Sequence, residues 1–397
     1  MRVLLTTESF LPYLSGVTVS VDSLARGLGA HGHEVLVLAP APAAGEEPGS
    51  AGSPGPAPRY AWLPSYQLPR LVPPRYRMPL PAPWAPSLRE ARRFAPHVVH
   101  AHSPFVTGQL ARRLAGSAGV PLVFTHHTRF GDYAHYLGPL ARPGAALTDA
   151  YLRRFWGACA AVIAPSHDLA TEIAGRVPGV RRDHVRVIPT GVDVTGIQTV
   201  APRALRELGG WASDSVVAVS LGRLAPEKSP MDVLDAIAVA AARDPQLRLV
   251  VIGGGPSEGP LRRRAERTDL AGRVAFTGLL PRAEALAHVR GGDLFVFASR
   301  TETQGLVLAE ALSAGLPAVA VEGPGVGDSV RDGLDGLIVP AAPKHDRTRR
   351  MAAGVLELSR DAGRRREMAE QALRGAARFS VERRVGQTEA LYRSLLA

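Results

Sequence analysis

The stretch VVAVSLGRLAPEKSP, residues 216–230, begins as an apolar, β-branched run and ends in a loop punctuated by Gly222, Pro226 and Pro230. Such a run reads as a buried strand, and the helical pattern behind it reads as a crossover. The same alternation surrounds it. Upstream, apolar runs stand at 2–7, 34–38, 98–101, 121–125, 161–164 and 185–189; downstream they return at 247–252, 273–277, 293–298, 317–321 and 336–340. Helical intervals between such runs imply parallel strands, hence an α/β chain. The rhythm breaks near IPTGVDV, residues 188–194, and starts afresh at 216, which predicts two doubly wound domains in tandem. The quoted stretch also holds Lys228. Only two of the 47 basic residues are lysine, Lys228 and Lys344.

A chain of 397 residues has room for two cores of ordinary size. With 46% hydrophobic and 21% charged residues it reads as globular rather than disordered. The opening MRVLLTTESF reaches Glu8 after an apolar run too short for a secretory signal, and no apolar run approaches the length of a membrane span, so a cytoplasmic protein is expected. A single cysteine, Cys159, allows neither an internal disulfide nor a zinc-binding pair and reads as core filler. Residues 40–86 hold 14 of the 34 prolines. Of these, 41–59 is expected to be a mobile surface loop; 69–84, which mixes arginines with Leu71, Tyr76, Met78 and Trp84, reads as an irregular loop packed on its own domain. From about Arg347 onward the pattern is helical and arginine-rich, a solvated surface.

The net charge of +11 favours anionic partners, whether nucleic acid, acidic lipid or phosphorylated small molecules. A G·C-rich genome explains the same abundance of Arg, Ala, Gly and Pro. No recognised nucleic-acid-binding motif accompanies the charge, so nucleic acid is not expected as a partner.

Ligands of open α/β sheets bind beyond the carboxyl ends of the strands, and two such domains facing each other would form a cleft. Several residues stand there. Gly16 lies in YLSGVTVS after the first strand, just before a helix; His100 and His102 close the third strand, and His126 and His127 the fourth. Gly222, Arg223 and Lys228 follow the first strand of the second half, and SRTETQGLVLAEAL follows its fourth. There Glu302 ends a strand, Gln304-Gly305 opens a helix and Glu310 lies inside it. Amides near Leu306 and Val307 at the helix start can hold a phosphate, with a carboxylate on either side for sugar hydroxyls. Arg223 suits bidentate grip of phosphate oxygens, and Lys228 adds a compact point charge where a flat guanidinium fits poorly. The four histidines also allow a metal reading, but no Asp-x-Asp occurs anywhere, and no metal or cofactor is expected.

In this order the motifs resemble the retaining nucleotide-sugar glycosyltransferases of family 4, over nearly the whole chain. The resemblance implies a GT-B fold, two Rossmann-like doubly wound domains facing a central cleft. It assigns 1–192, completed by a helix at about 378–397, to the acceptor domain and 193–377 to the donor domain. It implies that Gly16 admits the donor phosphates, that Arg223 and Lys228 of GRLAPEK hold the diphosphate, and that ETQGLVLAE puts Glu302 at the donor sugar and Glu310 at the ribose. His127 of THHT matches the histidine facing the donor hexose. HHTRFGDYAHY looks like the branch that glycosylates lipids such as diacylglycerol, which would give Arg129, Tyr133, His135 and Tyr136 to the acceptor.

The implied reaction moves a hexose from a nucleoside diphosphate, UDP-glucose or GDP-mannose, to a hydroxyl with retention at the anomeric carbon. The leaving phosphate itself helps to take the acceptor proton; Glu302 as a covalent nucleophile is the lesser route. A membrane lipid is the expected acceptor, with peripheral attachment to the inner face of the membrane. A sugar-nucleotide 2-epimerase of the same fold, or transfer to a soluble acceptor, is the alternative.

Overall fold

Fifteen strands are described, and thirteen of them build two separate parallel sheets. The coordinates are a computed structural model, which describes residues 1–397 except 48, 53, 68–75, 81, 83, 130–140 and 177–183, and the side chains of 141–143. The chain divides into two compact units, Met1–Asp193 with Ser380–Ala397, and Val194–Phe379.

The first unit holds β1 (Arg2–Thr6), β2 (Glu34–Pro40), β3 (Arg59–Leu63), the short hairpin strands β4 (Ser65–Tyr66) and β5 (Met78–Pro79), β6 (Val98–Ala101), β7 (Leu122–Thr125), β8 (Ala161–Ala164) and β9 (Val185–Val187). Its large sheet runs β3-β2-β1-β6-β7-β8-β9, every pair parallel. Alternate residues of β1 feed opposite faces. Leu4 joins Leu36, Phe124, Phe155 and Trp156 on one side, while Val3 and Leu5 join Val21, Val123 and Ile163 on the other. The second side is closed by the helix Gly16–Ala30 and by the last helix, Val381–Leu396, whose Val385, Leu391 and Tyr392 are buried there. Each fully buried aliphatic side chain contributes about 1.5–3 kcal/mol, which is what ties the chain's last helix to its first residues.

The second unit holds β10 (Val216–Leu221), β11 (Leu247–Ile252), β12 (Val274–Gly278), β13 (Leu294–Phe297), β14 (Ala318–Val321) and β15 (Gly336–Val339). The sheet order is β12-β11-β10-β13-β14-β15, again all parallel. After β10, Ser229 takes a left-handed φ of 51° and Pro230 starts the helix Pro230–Ala241, a position where a missing N–H costs nothing. Two corrections to the sequence reading arise here. Arg347 is buried rather than solvated: its Nη2 and Nε donate to Asp232 Oδ2 at 2.6 and 3.2 Å, and Nη1 donates to the Ala342 carbonyl at 2.8 Å.

The second correction is β3, a strand that the sequence reading missed. Described residues of the segment before it are held to the helix Gly16–Ala30 by a buried pair, Asp22 and Arg26, 2.9 Å apart. Asp22 Oδ2 accepts from the Ala51 amide at 3.0 Å, and Arg26 donates to the Gly55 and Gly49 carbonyls at 3.2 and 3.3 Å. The segment then delivers β3, an edge strand of five residues hidden behind prolines, so His100 lies on the fourth strand of the sheet and not the third. Cys159 is buried core, and burial pushes its thiol pKa up.

Removing one partner of a buried ion pair strands the other's charge. Arg347→Ala is expected to destabilise the second unit by about 3 kcal/mol in chemical denaturation, whereas Arg349→Ala, which removes an exposed pair with Asp346, should leave the denaturation midpoint unchanged.

Candidate active site

The second sheet changes its direction of growth between β10 and β13, so the loops leaving these two strands part and open a crevice at their carboxyl ends. Leaving β10, the chain passes Gly222 and Arg223 into the single turn Pro226–Lys228. Leaving β13, it runs to Gly305, which at φ 75° takes the left-handed turn that glycine favours and starts the helix Leu306–Ser313. Glu302 therefore sits within this connecting loop, five residues beyond the strand end rather than at it. The two loops are joined. Lys228 Nζ donates to Glu302 Oε1 at 2.7 Å, and Thr301 Oγ1 donates to the Glu227 carbonyl at 3.1 Å.

Around this bridge the other expected groups gather. Arg223 is half exposed and pairs with the carboxylate of Glu227. Leu306 and Val307 are partly exposed at the helix start, where the dipole is positive. Glu310 is 5% exposed and pairs with Arg282 Nη1, 2.6 Å away. Arg282 had no signal in the sequence beyond its place after β12. Gly253, just after β11, is a packing requirement, since a Cβ there would lie 2.0 Å from the Gly222 carbonyl oxygen. By contrast Lys344 is a surface lysine, 3.4 Å from Asp235.

The first sheet has its own reversal, between β1 and β6. Gly16 is the exposed first residue of its helix rather than part of the preceding loop, and Ser15 caps that helix by accepting from the Thr18 amide at 3.2 Å. Glu8, not marked as a site residue by its sequence, turns inward after β1. Its Oε2 accepts from Ser103 Oγ at 2.7 Å and its Oε1 from the Thr107 amide at 3.1 Å, while burial raises its carboxyl pKa. A lone carboxylate just past a strand end was the available signal.

The histidines form a network rather than a metal site. His100 Nδ1 lies 2.5 Å from the Tyr392 hydroxyl and its Nε2 lies 2.7 Å from Thr125 Oγ1. His102 Nδ1 lies 2.9 Å from His127 Nε2, while His102 Nε2 is buried without a hydrogen-bond partner. His126 turns to the other face, edge-on to Trp156. Burial first, and the neighbouring rings second, hold His100 and His126 down to about 3 and His102 well below the usual imidazole range; burial holds His127 at about 4. All four are neutral at pH 7. Among the described residues, no group of three or more His, Cys, Asp or Glu side chains is placed to hold a metal ion.

Of the expected acceptor residues, Arg129 pairs with Glu172 on the helix His167–Arg176, beside a cavity of about 390 Å³ with Leu152, Trp156 and Ile173 in its lining. Tyr133, His135 and Tyr136 lie outside the described residues. No described helix is long and apolar enough to cross a membrane.

Comparison with known proteins agrees with this geometry. Residues 14–195 match Glycosyltransferase Family 4, and residues 203–374 match Glycosyl transferases group 1. The chain is 30% identical over 351 residues to an alpha-monoglucosyldiacylglycerol synthase of Acholeplasma laidlawii, covering 85% of this chain and 84% of the relative. It is 32% identical to a GDP-mannose-dependent alpha-mannosyltransferase of Mycolicibacterium smegmatis, covering 89% and 91%. Among solved structures, Anabaena HepE in complex with UDP superposes with a TM-score of 0.74 over 99% of this chain and 100% of that one, at 19% identity. That likeness shows the GT-B type of fold.

The neutral histidines fix an acid limit. Their folded pKa values lie below the unfolded value of 6.5, so between pH 6.5 and about 4 the unfolded chain binds more protons and stability falls as pH falls. Each fully buried imidazole adds a slope of about 1.4 kcal/mol per pH unit. Thermal melting from pH 7.5 to 4.5 should show a steep loss below pH 6.5, and a flat profile would contradict the burial of these rings.

Proposed function

This chain belongs to the Glycosyltransferase Family 4 enzymes, and from that premise we propose that it is a retaining hexosyltransferase using a nucleoside-diphosphate sugar, UDP-glucose or GDP-mannose, and a membrane-lipid hydroxyl such as that of diacylglycerol or a glycolipid. The glycosyltransferase activity follows from the family. The choice of donor and acceptor is supported by relatives named for glucosyldiacylglycerol synthesis and for GDP-mannose, and by a relative by fold solved with UDP.

The observation that carries the reading is the Lys228–Glu302 bridge across the β10/β13 crevice. It puts a cation beside a carboxylate, which is what a sugar diphosphate needs at its two halves. In the proposed reaction the bond from the anomeric carbon to the diphosphate oxygen breaks. Negative charge grows on the leaving oxygens, and donors aimed there before reaction stabilise the transition state. Lys228, Arg223 and the amides of Leu306 and Val307 take that part, and Gly16 admits the phosphates. Glu302 then turns its oxygens to the hexose hydroxyls and Glu310 to the ribose. His127 faces the hexose. A departing phosphate oxygen takes the acceptor proton as the new glycosidic bond forms on the same face, so charge balances without an enzymatic nucleophile or a metal ion. Arg129, Tyr133, His135 and Tyr136 serve the acceptor.

Peripheral attachment to the cytoplasmic face of an anionic membrane fits the +11 charge and the exposed Trp84 and Leu80 of the first unit.

The deciding experiment incubates the enzyme with a panel of nucleotide sugars and lipid extract, delivered in anionic and in neutral vesicles. The expected product is a glycolipid whose anomeric configuration matches the donor, formed faster on the anionic surface. Inverted configuration, or a new nucleotide sugar formed without acceptor, would overturn the reading. Lys228→Ala should lower kcat roughly a hundredfold. Its melting temperature should hardly move, because a partly exposed ion pair contributes little to stability. Near-normal turnover would take Lys228 out of the mechanism.

A further inference from the structure

His127 is not an isolated ring. Behind it stands His102, and behind that His100, in a ladder: the centroids of His100 and His102 are 4.3 Å apart with planes 29° apart, and those of His102 and His127 are 5.1 Å apart with planes at 18°. The foot of the ladder is held on both sides, since the two nitrogens of His100 meet the Tyr392 hydroxyl and Thr125 Oγ1. The upper rung is the 2.9 Å contact between His102 Nδ1 and His127 Nε2.

We propose that His102 is a positioning residue for the transfer reaction, fixing the orientation and the tautomer of His127 through this bond. The inference rests on the role given to His127 above and adds a second residue to it.

A neutral imidazole has one donor and one acceptor nitrogen. Two neutral rings sharing a hydrogen bond must therefore take complementary forms: a proton on His102 Nδ1 leaves His127 Nε2 as acceptor and puts the His127 proton on Nδ1, and the reverse arrangement inverts both. Burial keeps both rings neutral at pH 7. The tautomer of His127 is thus not its own to choose, and which nitrogen carries the proton decides whether its Nδ1 donates to or accepts from a sugar oxygen.

The other nitrogen of His102 strengthens the case. His102 is 4% exposed, yet its Nε2 makes no hydrogen bond within the protein. A leucine would fill nearly the same volume without a buried orphan atom, so as a core residue this histidine is a poor choice. Local rules of this kind are broken where function demands it. The atom that is satisfied, Nδ1, is the one that meets His127.

The test compares His102→Leu with His102→Asn, whose amide places a polar atom where Nδ1 was. Leu should lower kcat roughly tenfold or more, as loss of tautomer control does elsewhere, with donor KM within about threefold. Asn should recover most of that loss. In parallel, ¹⁵N NMR of histidine-labelled protein, with the His127 signals assigned through His127→Gln, should show one tautomer in the parent and a mixture in His102→Leu. Turnover of His102→Leu within about twofold of the parent would overturn the proposal, as would an unchanged tautomer in that variant. Should Leu fail to fold, the parent spectrum decides, because a tautomer mixture at His127 there overturns the proposal and a single form supports it. His127→Ala separates the two readings. Normal turnover in His127→Ala removes His127 from the reaction, whereas lost turnover there with intact His102→Leu removes only His102.

Discussion

Each half of the molecule depends on one constraint of parallel sheets: a strand that follows a right-handed crossover can be added to either edge, and a sheet that grows both ways must have a point where it turns. In the second unit that point lies between β10 and β13, in the first between β1 and β6. Helices on either side cover opposite faces there, so backbone cannot fill the space beyond the strand ends. Loops leaving the central strands are consequently the ones placed to meet a ligand. GRLAPEK and TETQGL leave β10 and β13; Glu8 and His102 follow β1 and β6.

Charged groups beyond the strand ends of the second sheet pair with one another. Lys228 meets Glu302, Arg223 meets Glu227, and Arg282 meets Glu310. For Lys228 and Glu302, both partly exposed, such pairing adds little to stability but fixes where the charged ends stand. Internal pairing limits the orientations these side chains sample. A ligand of matching charge pattern then substitutes for contacts that already exist, and less ordering remains to be done.

The parallel sheets were legible because their strands are buried on both faces, and so appear as uninterrupted apolar runs that need no tertiary knowledge to find. β3 was not. It is a five-residue edge strand, RYAWL, behind a proline-dense segment whose Gly49, Ala51 and Gly55 bond to Asp22 and Arg26, residues more than twenty positions away. Arg347 misled for the same reason: its partner Asp232 is 115 residues distant, and nothing in a helical arginine's own neighbourhood announces burial. At the site, residue types and their order could be read, but pairing could not. Arg282 and Tyr392 come from elements remote in sequence, and the partners of three histidines, His102 with His127 and His100 with Thr125 and Tyr392, depend on strand pairing that no local motif spells out.

The return of Val381–Leu396 to the first sheet has a consequence for how the protein is made. Tyr392 seals a face begun by Val3 and Leu5, so the earliest-synthesised half leaves the ribosome with that face open. The second unit, a continuous stretch of chain, can finish folding first. Until the last turn of helix emerges, the nascent amino-terminal half presents an uncovered greasy flank.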